Sequence, residues 1–160
     1  MAGDPLYDSD FCTWTQRQAE LLREVRDNRV DKEHLAEEVA DLGRSELRAC
    51  ESHLQQALIH LVKLAASPNA PAKGHWSVEA AQQMEQGQKA FSPGMRQHLD
   101  QQALWQKAVT RANQLLADYG DPGVPPDLPC PFTLDDLLAP DFEPADARAQ
   151  IDRAIQAHGG

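Results

Sequence analysis

The stretch that decides the fold is Val30–Ala66, which reads VDKEHLAEEVADLGRSELRACESHLQQALIHLVKLAA. No proline interrupts it after Asp31, so one helix of roughly 54 Å is possible at ~1.5 Å per residue. Asp31 is expected to cap this helix, with Val30 and Leu35 forming a hydrophobic staple across the cap. Gly43 is the weak point, because a glycine inside a helix costs about 1 kcal/mol relative to alanine and permits a bend.

Apolar side chains recur along this stretch at three- and four-residue steps, which predicts that one face of the helix is buried in a core. The predicted inward residues are Leu35, Val39, Leu42, Cys50, Leu54, Ala57, Leu58, Leu61 and Leu64. Because a long helix with one apolar face needs helical neighbours to cover it, the pattern favours an all-α fold.

Helical patterns also lie on both sides of this stretch. Apolar residues at helical spacing run from Phe11 to Val25, after Asp8 or Ser9 as the expected cap. The prolines and glycine of Ser67–Gly74 predict a loop, and the residues from about His75 to Phe91 predict another helix.

A fourth helix is predicted to begin with Ser92 as its cap and Pro93 at its first position, where the missing amide costs nothing. Gly120 is expected to end it. The proline-rich sequence that follows predicts an irregular strap over residues 121–142, with one short helix started by a capping box at Thr133 and Asp136.

Neither an internal repeat nor a strand pattern competes with these helices. The sequence therefore predicts an all-α, four-helix-bundle-like single domain with one long helix and a proline-rich C-terminal strap. The domain is expected to cover residues 1–142, including the strap. Residues 143–160 are expected to form a short C-terminal helix or a frayed tail.

The charge of the chain argues against anionic partners. Its 160 residues carry 25 Asp and Glu against 15 Lys and Arg, a formal net charge of -10. Nucleic acids and anionic membranes bind largely through cationic contacts, so neither is expected to be a partner. In addition, no run approaches the ~18 apolar residues of a membrane-spanning helix.

The cysteines indicate a reducing compartment. Cys12, Cys50 and Cys130 are far apart in the sequence and form no close pair. The first ten residues are acidic and lack the apolar core of a signal peptide. We therefore expect the protein to be cytoplasmic.

Four blocks of the sequence together resemble one bacterial family, the domain of unknown function 29. The blocks are YDSDFCTWTQRQAELLR at Tyr7–Arg23, LAEEVADLGRSE at Leu35–Glu46, ESHLQQALIHLVK at Glu51–Lys63, and CPFTLDDLLAPDF at Cys130–Phe142. The resemblance implies an all-α bundle of bacterial origin and implies no activity. The sequence departs from the family in a less basic loop before Trp76 and in the tail after Phe142.

The middle of the long helix carries the candidate metal ligands. Continuing the apolar stripe from Leu42 leads to Glu46, Cys50 and His53, and His60 lies two turns further on. Carboxylate, thiol and imidazole groups all bind transition metals, and helical bundles build such sites in their interiors. The alternative is a buried hydrogen-bonded network, in which Glu46 pairs with Arg44, Arg48 or Gln18. This alternative is favoured because the sequence contains neither HExxH nor ExxH.

Three other groups of residues invite a functional interpretation, and each has a simpler structural one. Glu37, Glu38 and Asp41 are expected to form a solvated acidic face rather than an acid–base pair. His75 and Trp76 can form a ligand platform, but a tryptophan at this place is more often a packing anchor. The sequence has no GxSxG motif and no basic residue close to Cys12, which argues against a nucleophilic enzyme.

The leading hypothesis for the function is a non-enzymatic helical bundle that binds another protein or a second copy of itself, without a cofactor. The alternative is a metal-dependent enzyme that holds a divalent transition metal inside the bundle. Its candidate ligands are Glu46, Cys50, His53 and His60.

Overall fold

A computed structural model describes residues 3–160, which form seven α-helices and one 3-10 turn and contain no β-strand. The helices are α1 (Leu6–Ser9), α2 (Phe11–Glu24), α3 (Lys32–Ala66), α4 (Lys73–Ala90), α5 (Gln101–Ala117), α6 (Leu134–Leu138) and α7 (Pro144–His158). The 3-10 turn covers Pro93–Met95, between α4 and α5. The predicted all-α fold class is therefore confirmed.

The chain divides into two compact units. The first unit comprises the described part of Met1–Cys50 together with Ala90–Leu99, and the second comprises Glu51–Lys89 and Asp100–Gly160. The α3 helix supplies residues up to Cys50 to the first unit and the rest to the second. A single domain over residues 1–142 stays a prediction.

In the first unit, α2 begins one or two residues later than expected. The carboxylate of Asp10 accepts a hydrogen bond from the Thr13 backbone N–H at 3.2 Å, so Asp10 is the cap. The prediction of Asp8 or Ser9 was wrong because both residues lie in the short helix α1. The Asp10 carboxylate also accepts a hydrogen bond from the backbone N–H of Gly94 at 3.0 Å.

The start of α3 agrees with the prediction. The helix begins at Lys32, and the Leu35 N–H donates to the Asp31 carbonyl at 3.1 Å. The helix also continues without a break past Gly43. This glycine is buried, and a Cβ added there would collide with the hydroxyl of Thr15 on α2. Gly43 therefore permits close approach of α2 rather than a break in α3.

The predicted inward face of α3 is wrong at Leu35 and Leu42, and it is confirmed at Cys50 and through the second unit. Leu35 and Leu42 are 45% and 53% exposed, whereas Ala36 and Cys50 are fully buried. The buried face lies one residue further along the helix because its small side chains allow close packing, as the Gly43–Thr15 contact shows. In the second unit the buried residues include Leu54, Leu58, Leu61 and Leu64, as predicted.

The predicted start of the fourth helix is also wrong. Ser92 caps no helix with its side chain, and its hydroxyl instead accepts a hydrogen bond from the Cys12 N–H at 3.2 Å. The cap of α5 is Asp100, whose carboxylate accepts from the Ala103 N–H at 3.0 Å. The sequence thus has two possible helix starts, at Ser92 and at Asp100. The first is followed only by the 3-10 turn, and the second begins α5. The predicted helix over residues 75–91 is confirmed as α4.

The C-terminal part of the second unit follows its local signals. Thr133 and Asp136 form the predicted capping box, with hydrogen bonds of 2.8 and 3.1 Å between side chain and backbone in both directions. Residues 144–158 form the helix α7, and Ile151 on this helix is fully buried. Of the two expectations for residues 143–160, the helix is therefore the one observed.

Side chains of α5 bind the irregular segment between α5 and α6. The Trp105 indole N–H donates to the Leu128 carbonyl at 2.6 Å. Asn113 donates to the Val124 carbonyl and accepts from the Val124 N–H, each at 2.9 Å. Trp105 is fully buried, and its ring lies 6.0 Å from that of Phe132 in an edge-on arrangement. This segment is thereby part of the core of the second unit.

The difference between the two parts of α3 can be tested by truncating leucines. We expect Leu58→Ala to lower the free energy of unfolding by about 2 to 5 kcal/mol, because it empties a buried site. Leu42→Ala should cost less than about 0.5 kcal/mol, because the side chain is half in solvent. Urea denaturation of both variants measures the free energy of unfolding. Equal losses in the two would contradict the burial of Leu58 and the exposure of Leu42.

Candidate functional site

The four candidate metal ligands lie in different surroundings. Glu46 is exposed and Cys50 is fully buried in the first unit, while His53 and His60 are half-buried in the second. The expectation that Glu46 faces a protein interior is therefore wrong, for the same reason that the leucines before it are exposed. Within residues 3–160, no group of three or more His, Cys, Asp or Glu side chains is arranged to hold a metal ion. A metal site built from these residues stays a prediction.

The hydrogen bonds of this region are also different from those expected. Arg44 donates to the carboxylate of Asp41, one turn away on α3, rather than to Glu46. In the second unit, His53 Nδ1 lies 2.8 Å from Oε1 of Gln83 on α4. This second contact joins α3 to α4 and does not involve Glu46, on which the network interpretation was centred.

His60 has a strongly shifted pKa. Its pKa is lowered to about 4, first by burial and then by the neighbouring Lys63 cation, while Glu79 opposes the shift. Its Nδ1 atom is buried and has no hydrogen-bond partner. The neutral imidazole is therefore the stable form near neutral pH, which suits packing better than proton transfer.

The largest described cavity lies in the second unit, between the end of α3, the loop 67–72 and the start of α4. Its volume is about 660 Å³, and its lining includes Lys63, Trp76, Tyr119 and Asp121. The Lys63 ammonium stands 4.8 Å from the centroid of the Trp76 ring. The hydroxyl of Ser67 donates to the Asp121 carboxylate at 2.7 Å. A cavity of this volume can hold a small organic molecule.

The pair His75–Trp76 is separated by the structure. Trp76 is buried, as its interpretation as a packing anchor requires, and it also forms part of the cavity wall. His75 is exposed. The indole face is occupied by Lys63, so the interaction of Trp76 with a cation is made within the chain.

Two of the cysteines are poorly suited to nucleophilic catalysis. Burial raises the pKa of Cys12, and the charge of Asp10 raises it further. Burial also raises the pKa of Cys130, whose thiol donates to the carbonyl of Phe132 at 3.3 Å. Since the thiolate is the reactive form, both side chains favour a structural role.

These features define a class of all-α helical proteins with an aliphatic core, a half-open cavity and no recognisable catalytic group among the described residues. A solved relative shares this architecture. It is an alpha-helical protein of unknown function from Rhodospirillum rubrum, known from a crystal structure, with 29% sequence identity and a TM-score of 0.85. The match covers 93% of this chain and 99% of that one.

The family model described as domain of unknown function DUF29 matches residues 6–143. The chain therefore belongs to the DUF29 family, as its four sequence blocks indicated. No curated protein matches it. In the part of the chain that the structure describes, none of the helices is both long and apolar enough to cross a membrane.

Reasoning from the sequence missed the cavity and the exposed leucines. The cavity joins Lys63 and Trp76 to Tyr119 and Asp121, and no local pattern links residues so far apart. The exposure of the leucines had a signal, because the small residues Ala36 and Gly43 lead in seven-residue steps to Cys50 and form a stripe that competes with Leu35 and Leu42. Its side chains are small enough for the close approach of α2 that Gly43 permits.

The burial of His60 predicts a dependence of stability on pH. Its pKa is about 4 in the folded state against 6.5 as its ordinary value, so the unfolded chain binds more protons between these pH values. The stability that comes from keeping His60 neutral is therefore fully present above pH 6.5. It is lost as the pH falls towards 4, because the unfolded chain takes up the proton more readily. We expect His60→Gln to melt with a shallower pH dependence than the wild type in this window. Parallel melting curves of the two proteins would contradict it.

The metal hypothesis can be tested on protein purified without an affinity tag. We expect substoichiometric metal and an unchanged melting temperature with zinc, manganese, iron or chelator, because Glu46 is exposed while Cys50 is fully buried. A bound ion would instead stabilise the folded state by mass action. Stoichiometric metal that is lost in His53→Ala would establish the site, and the metal-dependent enzyme would become the leading hypothesis.

Proposed function

We propose that this protein is a non-enzymatic helical module that binds a helix of another protein, and that it resides in the bacterial cytoplasm. The binding surface is the α3 stripe, defined here as Leu35, Val39 and Leu42. The observation that carries the proposal is that two leucines seven residues apart on one helix are each about half exposed to solvent. The residence is supported by the cysteine pattern and by the resemblance to a bacterial family.

The spacing of the α3 stripe is that of a helix–helix seam. Leu35, Val39 and Leu42 follow one another at steps of four and three residues, as do the core positions of a coiled coil. Leucines at such positions insert between the side chains of a facing helix. Half-exposed leucines on a regular helix are therefore anchors without a partner, rather than scattered apolar residues of an ordinary surface.

The charges around the stripe favour a different protein over a second copy. Glu38 borders the stripe and Glu46 continues it by one turn, and both are exposed. A second copy brings the same acidic groups to the interface, and the whole chain already carries a net charge of -10. An amphipathic helix with Lys or Arg beside its apolar face complements this surface, and opposite charges also speed the encounter.

A matched pair of variants tests the proposal. Leu35→Ser with Leu42→Ser removes the anchors, and Leu21→Ser makes the same change at a leucine of α2 that is 47% exposed and lies outside the stripe. The probe is a synthetic helical peptide with leucine at core positions and lysine beside them. We expect the double variant to bind this peptide about tenfold more weakly than the wild type, and Leu21→Ser to bind it unchanged.

A second peptide, with glutamate in place of lysine, measures the contribution of charge, and it should bind the wild type about tenfold more weakly than the lysine peptide. Binding that is the same for both peptides and for the double variant would refute the proposal. Sedimentation equilibrium decides between the two kinds of partner. A dimer of the wild type that dissociates only in the double variant would replace the foreign helix with a second copy.

A further inference from the structure

We propose that the cavity of the second unit is a binding site for a small organic acid that carries an aromatic ring. This site is separate from the α3 stripe and does not depend on the protein-binding function. Three features support this: the apolar wall of the cavity, the lysine that lines it and the hydrogen bond that holds the carboxylate of Asp121.

The wall of the cavity is largely apolar and partly aromatic. Alanines and prolines of the loop 67–72 form one side, and the ring of Tyr119 lines another. Tyr119 is 79% exposed, so most of its ring area has no contact within the chain. An aromatic ring placed beside it buries this area and can stack on the phenol. At about 660 Å³ the cavity falls within the range of sites for small molecules.

Lys63 supplies the positive charge. It is the only Lys or Arg side chain in the lining of this cavity, and the described chain forms no ion pair with it. Its ammonium rests on the Trp76 ring, which holds the group in place without neutralising it. Partial burial lowers the pKa of Lys63, because removing the ammonium from water disfavours its charged form. A carboxylate in the cavity would restore a charged partner to this group.

Asp121 does not serve as that partner. Its carboxylate accepts a hydrogen bond from Ser67, which ties it to the loop at the edge of the cavity. The same carboxylate disfavours ligands with a large excess of negative charge, such as phosphate esters. The surroundings therefore select a single carboxylate attached to a ring, rather than a polyanion.

The experiment uses three probes of the same shape: phenylacetate, its neutral amide phenylacetamide and the cation phenethylamine. Each is titrated into the full chain labelled with ¹⁵N, and the indole N–H signal of Trp76 reports binding. The signal is assigned by its loss in Trp76→Phe. We expect saturable shifts with phenylacetate in the millimolar range. The amide and the amine should each bind at least about tenfold more weakly.

Three variants connect the preference to Lys63. In Lys63→Gln we expect the acid and the amide to bind equally, whereas Lys63→Arg, which keeps a cation, should retain the preference. Lys107→Gln removes an exposed lysine of α5 outside the cavity and should bind as the wild type does. No saturable shift with phenylacetate, equal binding of the amide, or a preference that survives Lys63→Gln in a folded protein would each overturn the proposal.

Discussion

The second unit depends on hydrogen bonds to the backbone carbonyl groups of the segment Asp121–Pro131. Five prolines prevent this segment from joining a helix or a sheet, namely Pro122, Pro125, Pro126, Pro129 and Pro131. A buried carbonyl without a donor costs about 1 to 3 kcal/mol, so carbonyls that the segment does not bond itself need a partner from elsewhere. The α5 helix supplies three such partners: Asn113 donates to the Val124 carbonyl, Gln106 to the Pro126 carbonyl and Trp105 to the Leu128 carbonyl. Leu128 is thereby fixed in the core, and the turn that leads to α6 and α7 is fixed with it.

In the first unit, side chains and backbone groups also bind an irregular segment, which here is the turn around Gly94. The Asp10 carboxylate caps α2 and at the same time accepts from Gly94, and the Ser92 hydroxyl accepts from Cys12. Burial tends to raise the pKa of Asp10, but hydrogen bonds from Thr13, Gly94 and Ser92 outweigh it and lower the pKa. The carboxylate is therefore ionised near neutral pH, and it holds the start of α2 against the turn at Gly94.

Local signals misled at Ser92, whose hydroxyl accepts a hydrogen bond from the distant Cys12 N–H, but they were sufficient at helix starts that near neighbours decide. The capping box at Thr133 and the cap at Asp31 are of this kind, since their hydrogen bonds span only a few residues. The inward face of α3 was different, because a stripe of leucines and a stripe of small residues are both regular. Which of them is buried depends on how closely α2 approaches, and a single sequence contains no direct record of that distance. The cavity could not be predicted for a similar reason, because Lys63 and Tyr119 come together only in the folded second unit.

The contact between Gly43 and Thr15 has a consequence for how this family can vary. A Cβ at position 43 would lie 3.2 Å from the Cβ of Thr15 and would overlap its hydroxyl, which donates to the Cys12 carbonyl at 2.8 Å. The two positions share one fixed volume, so a larger residue at the first requires a smaller one at the second. Among descendants of a common ancestor, the substitutions at positions 15 and 43 should therefore be coupled, with alanine or serine at 43 accompanied by alanine or glycine at 15.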